Sequence, residues 1–257
     1  MSLLLLGGTA DGRRLAKKLH QQGVSLIYSV AGLVRQPDVP CEVISGGFSQ
    51  FGGLVEYIKQ HAIVAILDVT HPYAAKMSAT AVDASKTCCI PCWRFHRPAW
   101  EKQAGDLWQE FISWETLLPA LKDKKTVFLT AGQLEQQAID ALTANEQQRQ
   151  LLRTAVEPKV TLSDSMHWIK AIGPFNLTDE LALMKTHNVD ALVSKNSGGE
   201  STVAKIQAAR ALGVPVYMLE RPTLPKADEI FTDSASCERF VVSAFNNGLT
   251  INGRTGP

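Results

Sequence analysis

The chain lacks a strong net charge, a long apolar run and a secretion leader, and each absence excludes a class of protein. Its formal net charge is +1 at pH 7, which argues against a surface built as a whole for nucleic acid but allows a local basic pocket. No apolar run approaches the roughly 20 residues that a membrane-spanning helix needs. No basic region or small-residue cleavage site precedes the first apolar segment. We therefore expect a soluble, cytoplasmic, globular protein that binds neither nucleic acid nor a membrane.

Cysteines are too few for a disulfide framework. The chain has an odd number of them, namely Cys41, Cys88, Cys89, Cys92 and Cys237. Without a secretion signal, reduced thiols are expected. Three of the five lie close together, but the further ligands that would complete a metal site are missing nearby. We expect no zinc site and no other bound metal.

The complete dinucleotide signature G-x-G-x-x-G is also absent, yet the beginning of the chain has a related pattern. Residues 3–6 are four leucines, which fit a strand buried on both faces, and they lead into a glycine turn at residues 7–12 and a helix that stops at Gly23. Such a turn leaves the amides of the first helical turn unpaired, as a phosphate site requires. An ordinary tight turn is the alternative. The candidate cofactor contacts are Gly7, Gly8, Thr9, Ala10, Gly12 and Arg13.

The second predicted strand, residues 24–31, lacks the acidic residue that would bind the ribose hydroxyl of NAD. It ends in Ser29, Val30 and Ala31 instead. Arg13 and Arg14 lie in the first loop and Arg35 follows the second strand, so positive charge is available for a 2′-phosphate. We expect NADPH rather than NADH, with Ser29 and Arg35 as further cofactor contacts.

Strands alternate with helices through both halves of the chain, which has 257 residues and is 45% apolar. This alternation predicts an α/β fold of two Rossmann-like domains, each a mainly parallel sheet with flanking helices, and a cleft between them. We place the boundary at the polar run 123–125, which gives domains of residues 1–122 and 123–257. A helix is predicted over residues 114–122. In the second half we predict a long polar helix ending near Gln148 and a short strand over residues 153–156.

Two more loops of the first half follow predicted strands and should meet the glycine turn, because ligands of parallel sheets lie at the carboxyl ends of strands. They are Gly46-Gly47-Phe48 and the segment 68–73. Glycine lets a backbone approach a ligand closely, although a plain turn is the alternative. The added cofactor contacts are Gly46, Gly47, Phe48, Thr70 and His71. His71 could also act as a general acid, or it could be a capping or packing histidine.

Aromatic and charged residues are interleaved between Arg94 and Trp114. Arg94, Arg97 and Trp100 could hold a large, flat, anionic ligand through guanidinium contacts and ring stacking. An aromatic-rich domain interface is the alternative.

The second half contains a polar strand end, Ser194-Lys195-Asn196-Ser197-Gly198-Gly199, that could grip a carboxylate or a phosphate. Lys195 is the expected ligand contact; as a proton donor it would need desolvation to lower its pKa. The stretch lacks the G-x-x-x-x-G-K-[ST] order, so a P-loop NTPase is not supported.

Five stretches, in order, resemble the motifs of the precorrin-6A and cobalt-precorrin-6A reductases. They are Gly7 to Arg13, Gly46 to Phe48, Asp68 to Ala74, Gly173 to Phe175 and Ser194 to Gly199. The resemblance spans most of the chain. Two residues depart from the family's pattern. Asp11 stands where glutamate is expected, and Leu33 stands where a polar or basic residue is expected. The second departure leaves open which residue binds the 2′-phosphate.

The resemblance implies an NADPH-dependent oxidoreductase of cobalamin biosynthesis. The family reduces one carbon–carbon double bond of a macrocycle by hydride delivery and protonation of the neighbouring carbon. It implies that the pyrophosphate lies at residues 8–13, the nicotinamide toward Thr70 and His71, and an anionic tetrapyrrole across the cleft. The implied catalytic residues are Lys195 and His71. The implied substrate contacts are Arg94, Arg97, Gly173, Pro174, Phe175, Ser194, Lys195, Asn196, Ser197, Gly198 and Arg221. Whether the ring carries cobalt, and the oligomeric state, stay open.

Two other classes of protein share parts of this pattern. A two-domain transferase that uses a nucleotide-sugar donor would also have twin sheets, but it would not oxidise NADPH. A non-catalytic protein that binds an anionic ligand would need similar strand ends but would turn nothing over. Consumption of NADPH on addition of a precorrin separates all three.

Overall fold

The predicted alternation of strands and helices is confirmed in the structure, a computed structural model that describes residues 1–32 and 37–249. The strands of this part are β1 (Ser2–Leu6), β2 (Leu26–Val30), β3 (Glu42–Ser45), β4 (Ile63–Asp68), β5 (Cys92–Phe95), β6 (Trp108–Phe111), β7 (Thr126–Leu129), β8 (Arg149–Thr154), β9 (Met166–Lys170), β10 (Ala191–Lys195), β11 (Val216–Leu219) and β12 (Glu229–Phe231). The helices are α1 (Ala10–Gln21), α2 (Leu54–Gln60), α3 (Ala75–Cys88), α4 (Trp114–Leu117), α5 (Gln136–Thr143), α6 (Leu177–Thr186), α7 (Ala204–Leu212) and α8 (Ser234–Asn246). No helix of the described ranges has the length and apolarity of a membrane span.

The strands form two six-stranded parallel sheets, one in each of two compact units. The first unit is Met1–Pro98 together with the chain from Pro222 onward, and the second is Ala99–Arg221. The first sheet has the order β12-β5-β4-β1-β2-β3, and the second has the order β6-β11-β10-β7-β8-β9. Read from the other edge, the first sheet has the 3-2-1-4-5-6 order of dinucleotide-binding folds. The second sheet repeats this order in the five strands β7 to β11, and its sixth position is taken by β6, which precedes them in the chain. The α/β fold of two Rossmann-like sheets is therefore confirmed.

The four leucines of β1 are all buried because the strand has helices on both faces. Leu3 and Leu5 pack into one apolar cluster with residues of α1 and α8. Leu4 and Leu6 pack into another with residues of α2 and α3. Side chains alternate between the two faces of a strand, so a central strand covered on both sides must be apolar at every position.

The second sheet has a core of the same kind on one of its faces. Phe128 of β7, Leu192 of β10 and Met218 of β11 pack against Met184 of α6 and Ile206 of α7. Burial of these side chains stabilises the unit by about 25 cal/mol for each Å² of apolar surface removed from water.

The division of the chain differs from the predicted boundary at residues 122 and 123. Trp108–Phe111 forms β6, which pairs with β11 of the second sheet, so the second unit begins at Ala99. Glu229–Phe231 forms β12, which pairs with β5 of the first sheet, so the end of the chain returns to the first unit. Both strands have only three or four residues, largely exposed, and neither shows the apolar run of a central strand.

Two further elements differ from their predicted forms. The predicted long helix ends at Thr143, and β8 begins already at Arg149. Gln148, just before this strand, and Gln150, within it, are both buried. Their side-chain amides donate to the carbonyls of Leu121 (2.7 Å) and Leu142 (2.9 Å), which lets polar residues occupy a core position. The helix predicted over residues 114–122 is one turn of α4 followed by a 3-10 turn that contains a proline.

Candidate functional site

The carboxyl ends of β1 and β4 lie side by side in the first sheet, where the strand order reverses. Ligands of doubly wound sheets bind at this reversal. The glycine turn follows β1 and the segment 68–73 follows β4, as predicted. Thr9 joins the two loops, because its hydroxyl donates to the Val69 carbonyl at 2.9 Å.

The glycine turn is shaped by Tyr28 of β2, which the sequence analysis did not single out. A Cβ atom on Gly7 would overlap the Tyr28 ring. Gly8 has a φ of +101°, and its amide donates to the Tyr28 hydroxyl at 3.0 Å. Burial raises the pKa of Tyr28, so the hydroxyl keeps its proton at neutral pH. The missing side chain at Gly7 and the large one at Tyr28 are therefore complementary.

The first turn of α1 presents backbone amides beside this loop. Thr9 caps the helix by accepting a hydrogen bond from the Gly12 amide at 3.0 Å. Within residues 1–32 and 37–249, no acceptor takes the amide hydrogens of Ala10 and Asp11. A helix N-terminus of this kind attracts anions through its amides and its dipole. The arrangement can bind phosphate oxygens.

Asp11 adds a carboxylate to the same helical turn and is neutralised by two arginines. Arg14 forms an ion pair with it, and Arg97 donates from Nη1 to Oδ2 at 2.6 Å. In the structure Arg97 bonds to Asp11, and its contact with the substrate stays a prediction. Because the carboxylate is paired, it repels an incoming phosphate less than a bare carboxylate would.

Arg94, another predicted substrate contact, is buried and bonded inside the first unit. Its Nε donates to Asp68 Oδ2 at 2.9 Å, and its Nη1 donates to the Pro225 carbonyl at 2.7 Å. Asp68 also accepts from Ser78 and Thr70. A buried charge needs such partners, and the sequence could not show that a carboxylate 26 positions earlier supplies them. These bonds give Arg94 a structural role inside the first unit, and its contact with the substrate stays a prediction.

Thr70 and His71 end the β4 loop in defined orientations. The amide and the hydroxyl of Thr70 donate to Asp68 Oδ1 at 3.1 and 2.7 Å. The Tyr73 amide donates to His71 Nδ1 at 3.3 Å, so a neutral His71 carries its hydrogen on Nε2. His71 can therefore offer one N–H group as a donor.

The other predicted cofactor contacts of the first unit differ in exposure. Ser29 is buried in β2 opposite Leu6. Gly46 has a φ of +94°, and its amide donates to Val30 at 3.0 Å, which ties the end of β3 to the end of β2. The Phe48 ring packs edge-on against Tyr57 in the core, so Phe48 is corrected to a packing residue; Gly47 begins its 3-10 turn. Arg13 is partly exposed, and Arg35 lies outside the described residues.

In the second unit, the polar loop after β10 is held mainly by its own side chains. Asn196 bonds to the backbone of Trp100 twice, accepting from its amide at 2.8 Å and donating to its carbonyl at 3.1 Å. The Ser194 side chain is fully buried and donates to the Lys195 carbonyl. Ser197, also buried, donates from its amide to the same carbonyl at 2.7 Å. The predicted contacts Asn196 and Ser194 thus maintain the shape of the loop.

Lys195 and Arg221 lie at neighbouring strand ends of the second sheet, since β10 pairs with β11. Arg221 donates from Nε to the Asn196 carbonyl at 2.8 Å. Burial lowers the pKa of Lys195, which makes the ammonium a better acid than an exposed lysine. The adjoining Gly198 has a φ of +67°, a backbone conformation that favours glycine.

The Gly173-Pro174-Phe175 motif lies against the segment that follows the polar loop. The Phe175 amide donates to the Ser201 carbonyl at 3.0 Å, and a Cβ atom on Gly173 would lie 3.1 Å from the same oxygen. The Phe175 ring stacks on the Arg153 guanidinium, 3.9 Å from its centroid. Arg153 in turn pairs with Glu180 at 2.5 and 3.2 Å. The structure thus brings two of the predicted substrate motifs together.

The sequence analysis missed Tyr28, Arg153 and Lys205, which this structure places at or beside the two loops. A bulky Tyr28 in a strand next to Gly7 is a size match that could have been noticed. Arg153 and Lys205 gave no such signal, because the residues that they contact are distant in the sequence. All five cysteines are free thiols, and burial raises the pKa of Cys92 and Cys237 to about 12.

Comparisons with known proteins agree with this geometry. A family model described as "Precorrin-6x reductase CbiJ/CobK" matches residues 2–241. The "Precorrin-6A reductase" of Rhodococcus erythropolis is 40% identical over 244 residues, which cover 93% of this chain and 96% of that protein. The "Cobalt-precorrin-6A reductase" of Priestia megaterium is 28% identical over 236 residues, which cover 86% and 91%. A solved structure titled "CobK precorrin-6A reductase" matches with a TM-score of 0.85 and 32% identity, covering 99% of this chain and all of that one. The chain therefore belongs to the precorrin-6x reductase family.

Proposed function

We propose that this chain reduces one carbon–carbon double bond of the precorrin-6A macrocycle with NADPH, as a step of cobalamin biosynthesis. Family membership supports the substrate and the reaction. The single observation that carries the cofactor half is the glycine turn at the strand reversal of the first sheet, where Tyr28 fills the space beside Gly7 and the amides of Ala10 and Asp11 lie at a helix N-terminus. A dinucleotide pyrophosphate is the ligand that such a turn accepts.

The preference for NADPH over NADH rests on charge at the end of β2. The strand ends in residues that carry no carboxylate, so nothing there accepts the ribose hydroxyls of NADH. Arg13 in the adjoining turn offers a guanidinium for a 2′-phosphate, and Arg35 offers a second in the sequence that follows.

NADPH would supply the hydride, and residues of the first unit would hold the coenzyme and orient it. The amides of Ala10 and Asp11 in α1 would hold the pyrophosphate, while Gly8 and Thr9 keep the shape of the turn through their bonds to Tyr28 and Val69. The backbone at Gly46 and Gly47 would allow close approach. Thr70 and His71 border the nicotinamide, with the Nε2 hydrogen of His71 as a donor toward the ring or the substrate. Holding the reactants in one orientation is the main contribution that a protein makes to such a transfer.

The second unit supplies positive charge for the carboxylates of the tetrapyrrole. Lys195, held at the end of β10 and supported by the Arg221 bond to Asn196, pairs with one of them or donates the proton to the carbon beside the reduced one. Its lowered pKa favours that second role. The higher identity to the relative named for precorrin-6A than to the one named for the cobalt form favours a metal-free ring.

The test is the loss of NADPH absorbance when precorrin-6A is added to the purified protein. Turnover with NADPH at a lower KM than with NADH is expected. Equal KM values for the two coenzymes would contradict the 2′-phosphate argument, and the absence of turnover with either would contradict the proposed function.

A further inference from the structure

The second unit contains a nearly buried lysine, Lys205, whose ammonium forms no ion pair among the residues that the structure describes. Lys205, the second residue of α7, is only 5% exposed. Within residues 1–32 and 37–249, no oxygen accepts a hydrogen bond from its ammonium and no carboxylate forms an ion pair with it. Burial of an ammonium without a hydrogen-bonded partner costs several kcal/mol. A ligand carboxylate that paired with the ammonium would offset this cost.

The side chains around Lys205 carry an excess of positive charge. Its Nζ lies 5.6 Å from the centroid of the Trp100 ring, and Arg153 and Glu180 act on it electrostatically. Glu180 is already bonded to both terminal nitrogens of Arg153, at 2.5 and 3.2 Å. We call Trp100, Arg153, Phe175, Glu180 and Lys205 the Lys205 cluster. It has two cations and one carboxylate.

The Lys205 cluster adjoins both substrate motifs of the second unit. Phe175 of the first motif stacks on Arg153 and donates from its amide to Ser201, just before α7. Asn196 of the second motif bonds to the backbone of Trp100, whose ring faces Lys205. Phe175 thus belongs to the cluster itself, and the polar strand end contacts it through Trp100.

We propose that Lys205, with Arg153 beside it, binds one carboxylate of the tetrapyrrole substrate. This inference rests on the proposed function, because a precorrin is the carboxylate-bearing ligand. The Lys205 ammonium donates to a carboxylate oxygen, the Arg153–Glu180 pair fixes the positive field beside it, and Trp100 covers one side. The arriving carboxylate balances the charge of the cluster.

A proton accompanies the carboxylate at alkaline pH. Burial lowers the pKa of Lys205 to about 7; the charge of Arg153 lowers it too, and that of Glu180 raises it. At pH 8 the free protein therefore holds Lys205 largely neutral. A bound carboxylate stabilises the ammonium and raises its pKa, so binding at pH 8 takes up a proton.

The first experiment measures KM for precorrin-6A and for NADPH at pH 7 in Lys205→Met, Lys205→Arg and Lys185→Met. Lys185 is an exposed lysine of α6 in the same unit, so its variant is the matched control. We expect Lys205→Met to raise the KM for precorrin-6A about tenfold or more and that for NADPH less than about twofold. Lys205→Arg should restore most of the loss, and Lys185→Met should behave like the wild type. A KM for precorrin-6A in Lys205→Met within about twofold of wild type would overturn the inference.

The second experiment does not depend on turnover. Calorimetric titration of the protein with precorrin-6A, without NADPH, at pH 8 in two buffers of different ionisation enthalpy reports the protons taken up. We expect the wild type and Lys185→Met to take up more protons than Lys205→Met, with a difference of up to about one proton. Equal uptake by wild type and Lys205→Met contradicts the carboxylate site. If the wild type takes up the proton but reduces nothing, the proposed function fails and the site stands.

Loss of folding is a separate outcome that circular dichroism detects. Methionine carries no charge and has a similar length, so Lys205→Met should fold and unfold at a temperature no lower than the wild type at pH 7. A variant that unfolds at a clearly lower temperature would identify Lys205 as a structural residue and overturn the inference.

Discussion

At the scale of single residues, the cofactor loop depends on one tyrosine beneath it. The Tyr28 ring occupies the space that a side chain on Gly7 would need, and its hydroxyl accepts the Gly8 amide at a positive φ. The hydroxyl of Tyr28 bonds to the turn itself, so we regard Tyr28 as a positioning residue. Its hydroxyl and its ring therefore have separable effects.

Replacing Tyr28 with phenylalanine removes the hydroxyl and keeps the ring. The Gly8 amide loses its acceptor, which costs about 1 kcal/mol, so the KM for NADPH should rise about fivefold while kcat changes little. Steady-state kinetics with varied NADPH measures this. An unchanged KM would show that the turn keeps its shape without the bond.

Tyr57→Phe is the matched control for Tyr28→Phe. The Tyr57 hydroxyl is buried in the same unit, and within the described residues no partner bonds to it. Its removal should leave the KM for NADPH unchanged and raise the free energy of unfolding by about 1 kcal/mol, because an unsatisfied buried group is lost. Urea denaturation measures the second quantity.

Lys195→Met removes the ammonium at the end of β10. Since that charge is proposed to face the tetrapyrrole, the variant should raise the KM for precorrin-6A more than that for NADPH. A fall in kcat that Lys195→Arg does not restore would favour the proton-donor role, because an arginine keeps the charge but does not give up its proton. An unchanged KM and kcat for the tetrapyrrole would refute both roles.

At the scale of elements, β4 and β5 are joined by a buried ion pair between Asp68 and Arg94. Arginines near aromatic residues in the sequence indicate an anion site, but the residue type does not reveal the partner. Arg94 and Arg97 both form ion pairs with carboxylates of their own unit. For this reason the strand ends could be predicted from the sequence, but the ion-pair partners of these two arginines could not.

Arg94→Met should destabilise the protein strongly. It leaves the Asp68 carboxylate buried without its cation, which costs about 3 kcal/mol or more. Denaturant unfolding measures the loss, and Lys17→Met, which breaks the exposed pair with Asp38, is the control with little expected change. A small change in the free energy of unfolding for Arg94→Met would contradict the structural role and favour the predicted contact of Arg94 with the substrate.

Burial of polar side chains explains the other local error. In the sequence, the polar residue Gln148 extends a helical pattern. In the structure the side chains of Gln148 and Gln150 are buried and bonded to carbonyls. The spacing of polar residues in a sequence does not show whether their side chains find hydrogen-bond partners inside the protein. Central strands such as β1 and β10 were predictable because they are apolar on both faces.

At the scale of the whole molecule, each sheet takes its sixth strand from outside its main run of five. β6 precedes the other strands of the second sheet, and β12 follows the second unit to complete the first. Pairings between distant segments are not encoded in local pattern, so the boundary at residues 122 and 123 was the natural but incomplete inference. The repeated α/β arrangement within each half could be recognised because its signals are local.

Fragments should reflect this arrangement. Residues 99–221 contain every strand of the second sheet, so they should fold when expressed alone. Residues 1–98 lack β12 and α8, whose Cys237 and Val241 belong to the core of the first unit, so they should not. Circular dichroism and limited proteolysis measure both outcomes. A cooperative unfolding transition of 1–98 would show that β12 and α8 are dispensable.

Joining residues 1–98 to 222–249 through a flexible glycine-rich linker is the companion experiment. The joined chain regains the missing strand and helix and should unfold cooperatively. Failure to fold would mean that the first unit also needs the second.

The late position of β12 also has a consequence during protein synthesis. The ribosome releases the first five strands of the amino-terminal sheet early, but its last strand emerges only after the whole second unit has been translated. The unit that is made first is thus the one that finishes last. Until the carboxyl-terminal segment has been synthesised, the edge of this sheet at β5 stays unpaired. We expect chaperones that bind nascent chains to protect this edge for longer than any other part of the protein.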